Sequence, residues 1–372
     1  MKNIVILCDG TWNSPTLTTP TNVVKLDQAC AKDAPDQVVA YLAGVGVNNF
    51  ENFLRRWMNK LGGGAFGWGL GQNVRRAYQQ LCLNYEPGDR IFIFGFSRGA
   101  YTARALGGMI RKCGIIPKDK VEGVNGALVL NRAWRLYKRI YKKLDEGPAW
   151  TQRKALSPDI ATSEDDLKAR GGKGTIVDIH FMGVWDTVGA LGLPLSVLGP
   201  VAKLWNRKYQ FYDTNLSSMV VNGYHAVALD EQRELFIQTD WNNIDVLNKG
   251  DTSDQRRYQQ LWFVGNHGMI GGSNETREIV AYPQAWIIQK AVDLGLRLKP
   301  DAEIPDAPGD PTAFSKEIVD MTAKPIHAWR NGPEEPWKYH WSVGARMRGL
   351  GNGYNPGSAR NRASIMNLPE PE

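Results

Sequence analysis

Across 372 residues no apolar run reaches the roughly 18 positions that a membrane-spanning helix needs. The opening MKNIVILCD, Met1 to Asp9, has too short an apolar core for a secretory signal and reads as a strand. The mature chain is therefore expected to start at Met1 and to reside in the cytoplasm of the cell that makes it. Cysteine is scarce. Cys8, Cys30, Cys82 and Cys113 form no C-x-x-C pair and no metal-ligand spacing, which argues against a disulfide scaffold and leaves buried thiols in a reducing compartment as the expectation. The five histidines include no H-E-x-x-H, so zinc is not expected, and the sequence points to no other metal and no cofactor. The stretch GGGAFGWGLG at 62–71 lacks the Lys-Ser/Thr of a P-loop and does not fit G-x-G-x-x-G; it reads as a close-packed loop beside a site.

Hydrophobic residues at 42% and charged residues at 22% are ordinary for a folded soluble chain, but positive charge is in excess. A net charge of +7 favours acidic partners, an anionic lipid surface or a phosphorylated substrate among them; a nucleic-acid partner is not expected. Much of the excess lies in LNRAWRLYKRIYKKL at 130–144. On a helix, Leu130, Ala133, Trp134, Tyr137, Ile140, Tyr141 and Leu144 share one stripe opposite Arg132, Arg135, Lys138, Arg139, Lys142 and Lys143. Such a helix either packs its stripe on the core, the leading expectation, or lies on an anionic membrane through Arg135, Lys138, Arg139 and Lys142.

Strands and helices alternate from the start. Strands are expected at 3–8, 37–43, 91–95, 175–185, 234–239 and within 261–267, with helices at 72–84 and from 98. The alternation predicts an α/β fold: a mostly parallel sheet with helices on both faces. A catalytic domain over 1–300 is expected, with helical cap insertions near 117–172 and 187–223 over the sheet's C-terminal edge, where open α/β folds bind ligands. From 301 to 372 a Pro- and Trp-rich extension is expected to pack on that domain.

The centre of the reading is IFIFGFSRGAYTARA at 91–105. An apolar strand runs into Gly95-Phe96-Ser97-Arg98-Gly99 and then into a small-residue helix, the pattern of a nucleophile elbow. The serine needs a base oriented by a carboxylate. His267 follows LWFVGN and precedes Gly268, Gly271 and Gly272, a strand end opening into a loop, and is the expected base. His180 reads as a core residue, His225 as part of a helical pattern, His327 lies in the Pro-rich region and His340 lacks a loop context. Two carboxylates follow strand-like runs, Asp186 after TIVDIHFMGVW and Asp240 after ELFIQT, and position alone favours Asp186 without excluding Asp240. The oxyanion hole is expected from the N–H of Arg98 and from Gly10 or Thr11, just past the first strand. Asp9-Gly10-Thr11 does not make a phosphatase of the haloacid dehalogenase type, because Leu7 stands where that nucleophilic aspartate belongs.

These residues sit in blocks that resemble the uncharacterised-domain family containing the type VI secretion phospholipase effectors of the first class, which are α/β-hydrolases. The blocks are CDGTWN at 8–13, TNVVKL at 21–26, YLAGVGV at 41–47, AYQQLCLNYEPGDRIFIFGFSRGAYTARAL at 77–106, GVWDTVGA at 183–190, YHAVALDEQRELF at 224–236, LWFVGNHGMIGG at 261–272 and YHWSVGARM at 339–347. The resemblance implies a serine esterase with Ser97 as nucleophile, Asp186 as acid and His267 as base, and so selects Asp186 over Asp240. It also implies a lipid or ester substrate, delivery to another cell on a secretion-system carrier, and an immunity protein as partner. One block departs: members usually read H-S-D before the glycines, whereas this chain has His267-Gly268-Met269. The expected function is a lipase or phospholipase working through an acyl-enzyme on Ser97, with Leu193, Leu195, Leu198 and Trp205 of the apolar cap receiving the acyl chain. The alternatives are an esterase for a soluble substrate and a binding protein on a retired hydrolase scaffold, the latter motivated by Met269. If His267 is the base, acylation is expected to fall as pH drops through a histidine-like pKa of roughly 6 to 7.

Overall fold

A computed structural model describes residues 1–10, 19–44, 64–141, 143–189, 215–233, 236–273, 277–302, 309–316, 318 and 329–370, with side chains of the second helix from Leu70 onward. Its frame is one all-parallel sheet of six strands: β1 (Asn3–Cys8), β2 (Gln37–Leu42), β3 (Arg90–Phe96), β6 (Phe181–Trp185), β7 (Gly223–Ala228) and β8 (Tyr258–Phe263). They lie in the order β2-β1-β3-β6-β7-β8. Two-residue strands β4 (Ile160–Ala161) and β5 (Thr175–Ile176) pair separately.

Both faces of the sheet are covered, which is why its strands read as near-continuous apolar runs. Successive side chains point to opposite faces, so Ile4, Ile6, Ile91 and Ile93 join one core with helices Gly64–Asn84 and Arg98–Cys113. Val5, Leu7, Phe92 and Phe94 join the other with helices Asn22–Ala29 and Arg277–Asp293. A third cluster joins the C-terminal ends of β7 and β8 to the last part of the chain through Val227, Trp262, Met269, Tyr339, Val343 and Tyr354. There Tyr339 bridges Trp262 in parallel register and the His340 N–H donates to Trp262 O at 2.9 Å, covering an edge strand that would otherwise present open backbone groups.

The chain leaves β1 for β2 on one side and returns to β3 on the other, so the sheet's switch point lies between β1 and β3, where Cys8 faces Gly95. Open α/β sheets bind ligands at that crevice.

Several expectations need correction. Of the strand expected at 234–239, residues 236–239 are described and form none: the strand is Gly223–Ala228, in the block read as helical, and Gln238 makes only an isolated bridge to Val188, while 234 and 235 lie outside the described residues. A strand buried on both faces has no alternation to separate it from a buried helix turn. The run 175–185 is split into β5 and β6. The glycine-rich stretch is helical from Gly64, and at Gly71 the missing Cβ leaves room for Trp134, whose ring would come within 2.9 Å of one. The basic helix spans Gly126–Lys138 and stops before Arg139.

Part of the insertion at 117–172 packs on the helix that starts at Arg98. It grips the far half of that helix: the Cys113 thiol donates to Ala133 O, Tyr137 lies over Gly108, and Lys112 donates to Tyr137 O at 2.9 Å. Gly108 is about 15 Å along that helix from its start. Two ion pairs lie within the insertion, Arg153 with the half-buried Asp145 at 2.7 Å and the buried pair Arg170 with Asp166 at 2.8 Å. Among the described residues no helix is long and apolar enough to cross a membrane.

Candidate active site

Ser97 stands between β3 and its helix at φ 57° and ψ −122°, a backbone setting that L-residues seldom adopt. Two close approaches enforce the turn. A Cβ on Gly95 would lie 2.5 Å from Gly99 O, and one on Gly99 would lie 2.1 Å from Cys8 O. Glycine at both positions is what lets the elbow close against the end of β1. The Ser97 N–H donates to Trp185 O at 3.0 Å, tying the elbow to β6. Arg98 occupies the first position of the helix, one residue past Ser97, where a helix presents its N–H groups outward.

Asp186 follows β6 directly, also at positive φ, 38°, and its N–H donates to Ala226 O at 2.7 Å. His267 follows β8 and opens the short helix His267–Ile270, which Asn266 caps by accepting from Met269 N–H at 3.1 Å. The His267 N–H donates to Glu231 Oε2 at 3.0 Å, and Glu231 is held in turn by Arg233 at 2.7 Å. Three strand ends thus converge. His267 Nδ1 lies 2.6 Å from Asp186 Oδ2, and His267 Nε2 lies 2.8 Å from Ser97 Oγ. With its Nδ1 proton on the carboxylate, the imidazole leaves Nε2 as acceptor for the Ser97 hydroxyl proton. The ring is clamped between Phe96 and Phe236, with centroids 4.8 and 4.5 Å away.

Charge is tuned from several sides. Burial would raise the Asp186 carboxyl, but Arg330 and His267 overcome it and hold the group well below the usual carboxylate range. Burial lowers His267; Asp186 pulls it back up in part and Arg330 pushes it down again. The Arg330 guanidinium grips both carboxylate oxygens of Asp186, at 2.6 and 2.9 Å. No sequence signal marked this arginine, which lies in an aperiodic stretch 144 residues from its partner.

Of the other expected site residues, Asp240 makes no contact with His267, and burial raises its carboxyl to about 6. Gly10, one of the expected oxyanion donors, has its N–H engaged within the protein. That N–H is turned onto Asp9 Oδ1 at 2.7 Å, while Tyr41 and Thr21 hydroxyls donate to the same carboxylate at 2.8 and 3.0 Å. A buried anion holds the amide more strongly than a neutral carbonyl would. Thr11, the cap residues Leu193, Leu195, Leu198 and Trp205, Lys142 and His327 lie outside the described residues. Arg135, Lys138 and Arg139 are exposed, at the end of the molecule where Lys112 meets the basic helix. His180 meets Leu294 O, His340 caps the helix Trp341–Leu350, and His225, on β7, sits between the Thr187 N–H and Gln260. Met269 is fully buried in the third core cluster, away from any surface a substrate could reach. Among the described residues no group of three or more His, Cys, Asp and Glu side chains is placed to hold a metal ion.

A parallel α/β sheet that presents Ser, Asp and His from the ends of three of its strands in that chain order has the layout of the α/β-hydrolase class. Residues 2–290 match the T6SS phospholipase effector Tle1-like catalytic domain, and the chain belongs to that family. An uncharacterized protein of Saccharomyces cerevisiae, YEL023C, is 31% identical over 245 residues, covering 64% of this chain and 32% of the yeast protein, so the chain spans only about a third of that relative. Among solved structures, an uncharacterized protein from Pseudomonas aeruginosa is 14% identical with a TM-score of 0.41, over 99% of this chain and 56% of that one. The Tle1 effector bound to the VgrG spike of the type 6 secretion system is 16% identical with a TM-score of 0.33, over 74% of this chain and 52% of that one.

Proposed function

We propose that the protein is a serine ester hydrolase acting on phospholipids through an acyl-enzyme on Ser97. Ser97 Oγ attacks the ester carbonyl as its proton passes to His267 Nε2; Asp186 stabilises the imidazolium that forms. The oxyanion is received at the N–H of Arg98. Collapse of the tetrahedral intermediate breaks the ester C–O bond, and the leaving alcohol takes the proton from Nε2. Water, deprotonated by the same nitrogen, then releases the fatty acid and restores Ser97. The observation that carries this reading is the pair of contacts made by one imidazole, 2.6 Å to Asp186 and 2.8 Å to Ser97. Phospholipid is the proposed substrate class because the family is a phospholipase catalytic domain. The same membership supports export on a secretion-system carrier into another cell, and an immunity protein in the producer is proposed alongside it.

The test compares the parent with Ser97→Ala on mixed phospholipid vesicles and on a short-chain acyl ester. Fatty-acid release by the parent alone supports the reading. Equal release by both, or none by either, overturns it.

A further inference from the structure

Arg330 lies outside the residues that match the family's catalytic domain, yet it enters the centre of the site. Its side chain is buried, and one terminal nitrogen donates to Asp186 Oδ1 at 2.6 Å and to Ala228 O at 3.1 Å. The other donates to Asp186 Oδ2 at 2.9 Å and to Phe236 O. Asp186 Oδ1 also accepts from the Ala228 N–H at 2.9 Å, so the carboxylate is fixed in position before the imidazole is counted. Through Phe236, whose ring lies against His267, the same guanidinium braces the base on a second side.

We propose that Arg330 is a positioning residue for Ser97, His267 and Asp186, by which the C-terminal part of the chain completes the site. The proposal rests on the hydrolase reading above. The planar fork matches both oxygens of a carboxylate at once, a geometry that lysine cannot supply. It sets the plane of Asp186 and hence the direction of the Nδ1 hydrogen bond that aims Nε2 at Ser97. The fork also places a fixed positive charge beyond the carboxylate. That charge opposes formation of the imidazolium, so Arg330 influences both the orientation and the basicity of His267. The other charged groups around the dyad are Glu231, paired with Arg233 on the His267 amide side, and Asp240 with Arg104 beyond Arg330; His225 lies nearby and burial lowers it to about 3.

The test uses the full chain as parent, Arg330→Lys and Arg330→Met. For each, the rate at which a fluorophosphonate labels Ser97 is followed against pH, beside a thermal melt. Arg330→Met is expected to lower the plateau rate by about 10- to 100-fold, the scale of a misaligned catalytic group, and to move the acid limb to higher pH. Arg330→Lys, which keeps the charge and loses the fork, is expected to lower the plateau while leaving the limb near that of the parent. A fall in melting temperature with unchanged plateau and limb in both variants means a merely structural role and overturns the proposal. If Arg330→Met does not fold, Arg330→Lys decides: an unchanged plateau rate overturns the proposal and a lowered one supports it. Failure of the parent to label at Ser97 removes the hydrolase reading itself, and is seen before any substitution at Arg330.

Discussion

A Cβ placed on Gly99 would lie 2.1 Å from the carbonyl oxygen of Cys8. The helix that follows the nucleophile is therefore in backbone contact with the end of β1, and neither side can yield alone. Cys8 pairs with β2 and β3 at once, and Ser97 is tied to Trp185. Gly99→Ala is expected to cost about 1 to 3 kcal/mol, the scale of overpacking in a closed core, and to slow labelling of Ser97 at least about tenfold by displacing the elbow. A melt and a labelling rate equal to the parent's would show that the contact tolerates a methyl group.

Ser97 holds φ 57°, and among the described residues only Asp186, Lys249 and Asn361 share a positive φ without being glycine. Such a setting costs of order 1 to 3 kcal/mol and persists where function requires it. Ser97→Gly removes the penalty and Ser97→Ala retains it. Both variants are expected to be inactive, with Ser97→Gly the more stable by up to about 2 kcal/mol after the extra chain entropy of glycine is counted. Chemical denaturation of the two decides it, and an alanine variant as stable as the glycine variant would argue against stored strain.

Much of the candidate site's geometry is legible in the sequence. Glycines at 95 and 99 report a backbone constraint, and constraints of that kind are written in residue type. Strand β1, from Asn3 to Cys8, was legible because a polar start and a turn bracket an apolar run. Strand β7 was not, because Tyr224 to Ala228 are all buried and offer no alternation to read. Arg330 was invisible for another reason: its meaning is entirely in a contact 144 residues away. The engagement of the Gly10 amide was not legible either, because peptide orientation depends on Asp9, Thr21 and Tyr41 together.

The base must be neutral to accept the Ser97 proton, and burial together with Arg330 lowers His267 below its ordinary value even against Asp186. A lowered pKa moves the acid limb downward, so single-turnover acylation is expected to remain above half-maximal at the ordinary histidine value of about 6.5. This is lower than the sequence alone suggested. Folding stability has opposing contributions in that window, so a thermal melt accompanies each pH. Burial holds His225 and His340 at about 3, so the unfolded chain takes up their protons first and stability falls as pH drops, while Asp230 and Asp240, raised to about 6 in the folded chain, offset part of that loss. An acylation midpoint at or above the ordinary histidine value would refute the assignment of these influences.

Met269 stands where the resemblance implies an aspartate. It is fully buried among Val227, Leu229, Trp262 and Val264, against Gly265. Met269→Leu preserves volume and is expected to cost less than about 1.5 kcal/mol. Met269→Asp brings a carboxyl into an apolar cluster and is expected to cost about 3 kcal/mol or more, with no gain in hydrolysis. A Met269→Asp variant that melts with the parent and hydrolyses lipid faster would show that the family residue has a role here.

The basic helix offers the last test, because its two readings differ by a measurable factor. Much of its apolar side is already occupied: Ala133 and Leu136 are buried and Trp134 packs at Gly71, which leaves Leu128, and Ile140 just past its end, as exposed large apolar side chains. Arg135, Lys138 and Arg139 face water near Lys112, at the far end of the helix that begins beside Ser97. If these charges held the protein on anionic lipid, each would contribute about fivefold to binding, and replacing all three would weaken it about 100-fold. The triple variant Arg135→Gln, Lys138→Gln, Arg139→Gln is instead expected to bind anionic vesicles within about twofold of the parent at low salt, where screening is least, and to hydrolyse a soluble ester at the parent's rate. Vesicle sedimentation at two salt concentrations measures this. A salt-sensitive loss approaching 100-fold would restore the helix as the membrane-facing surface and require the substrate to reach Ser97 from that side.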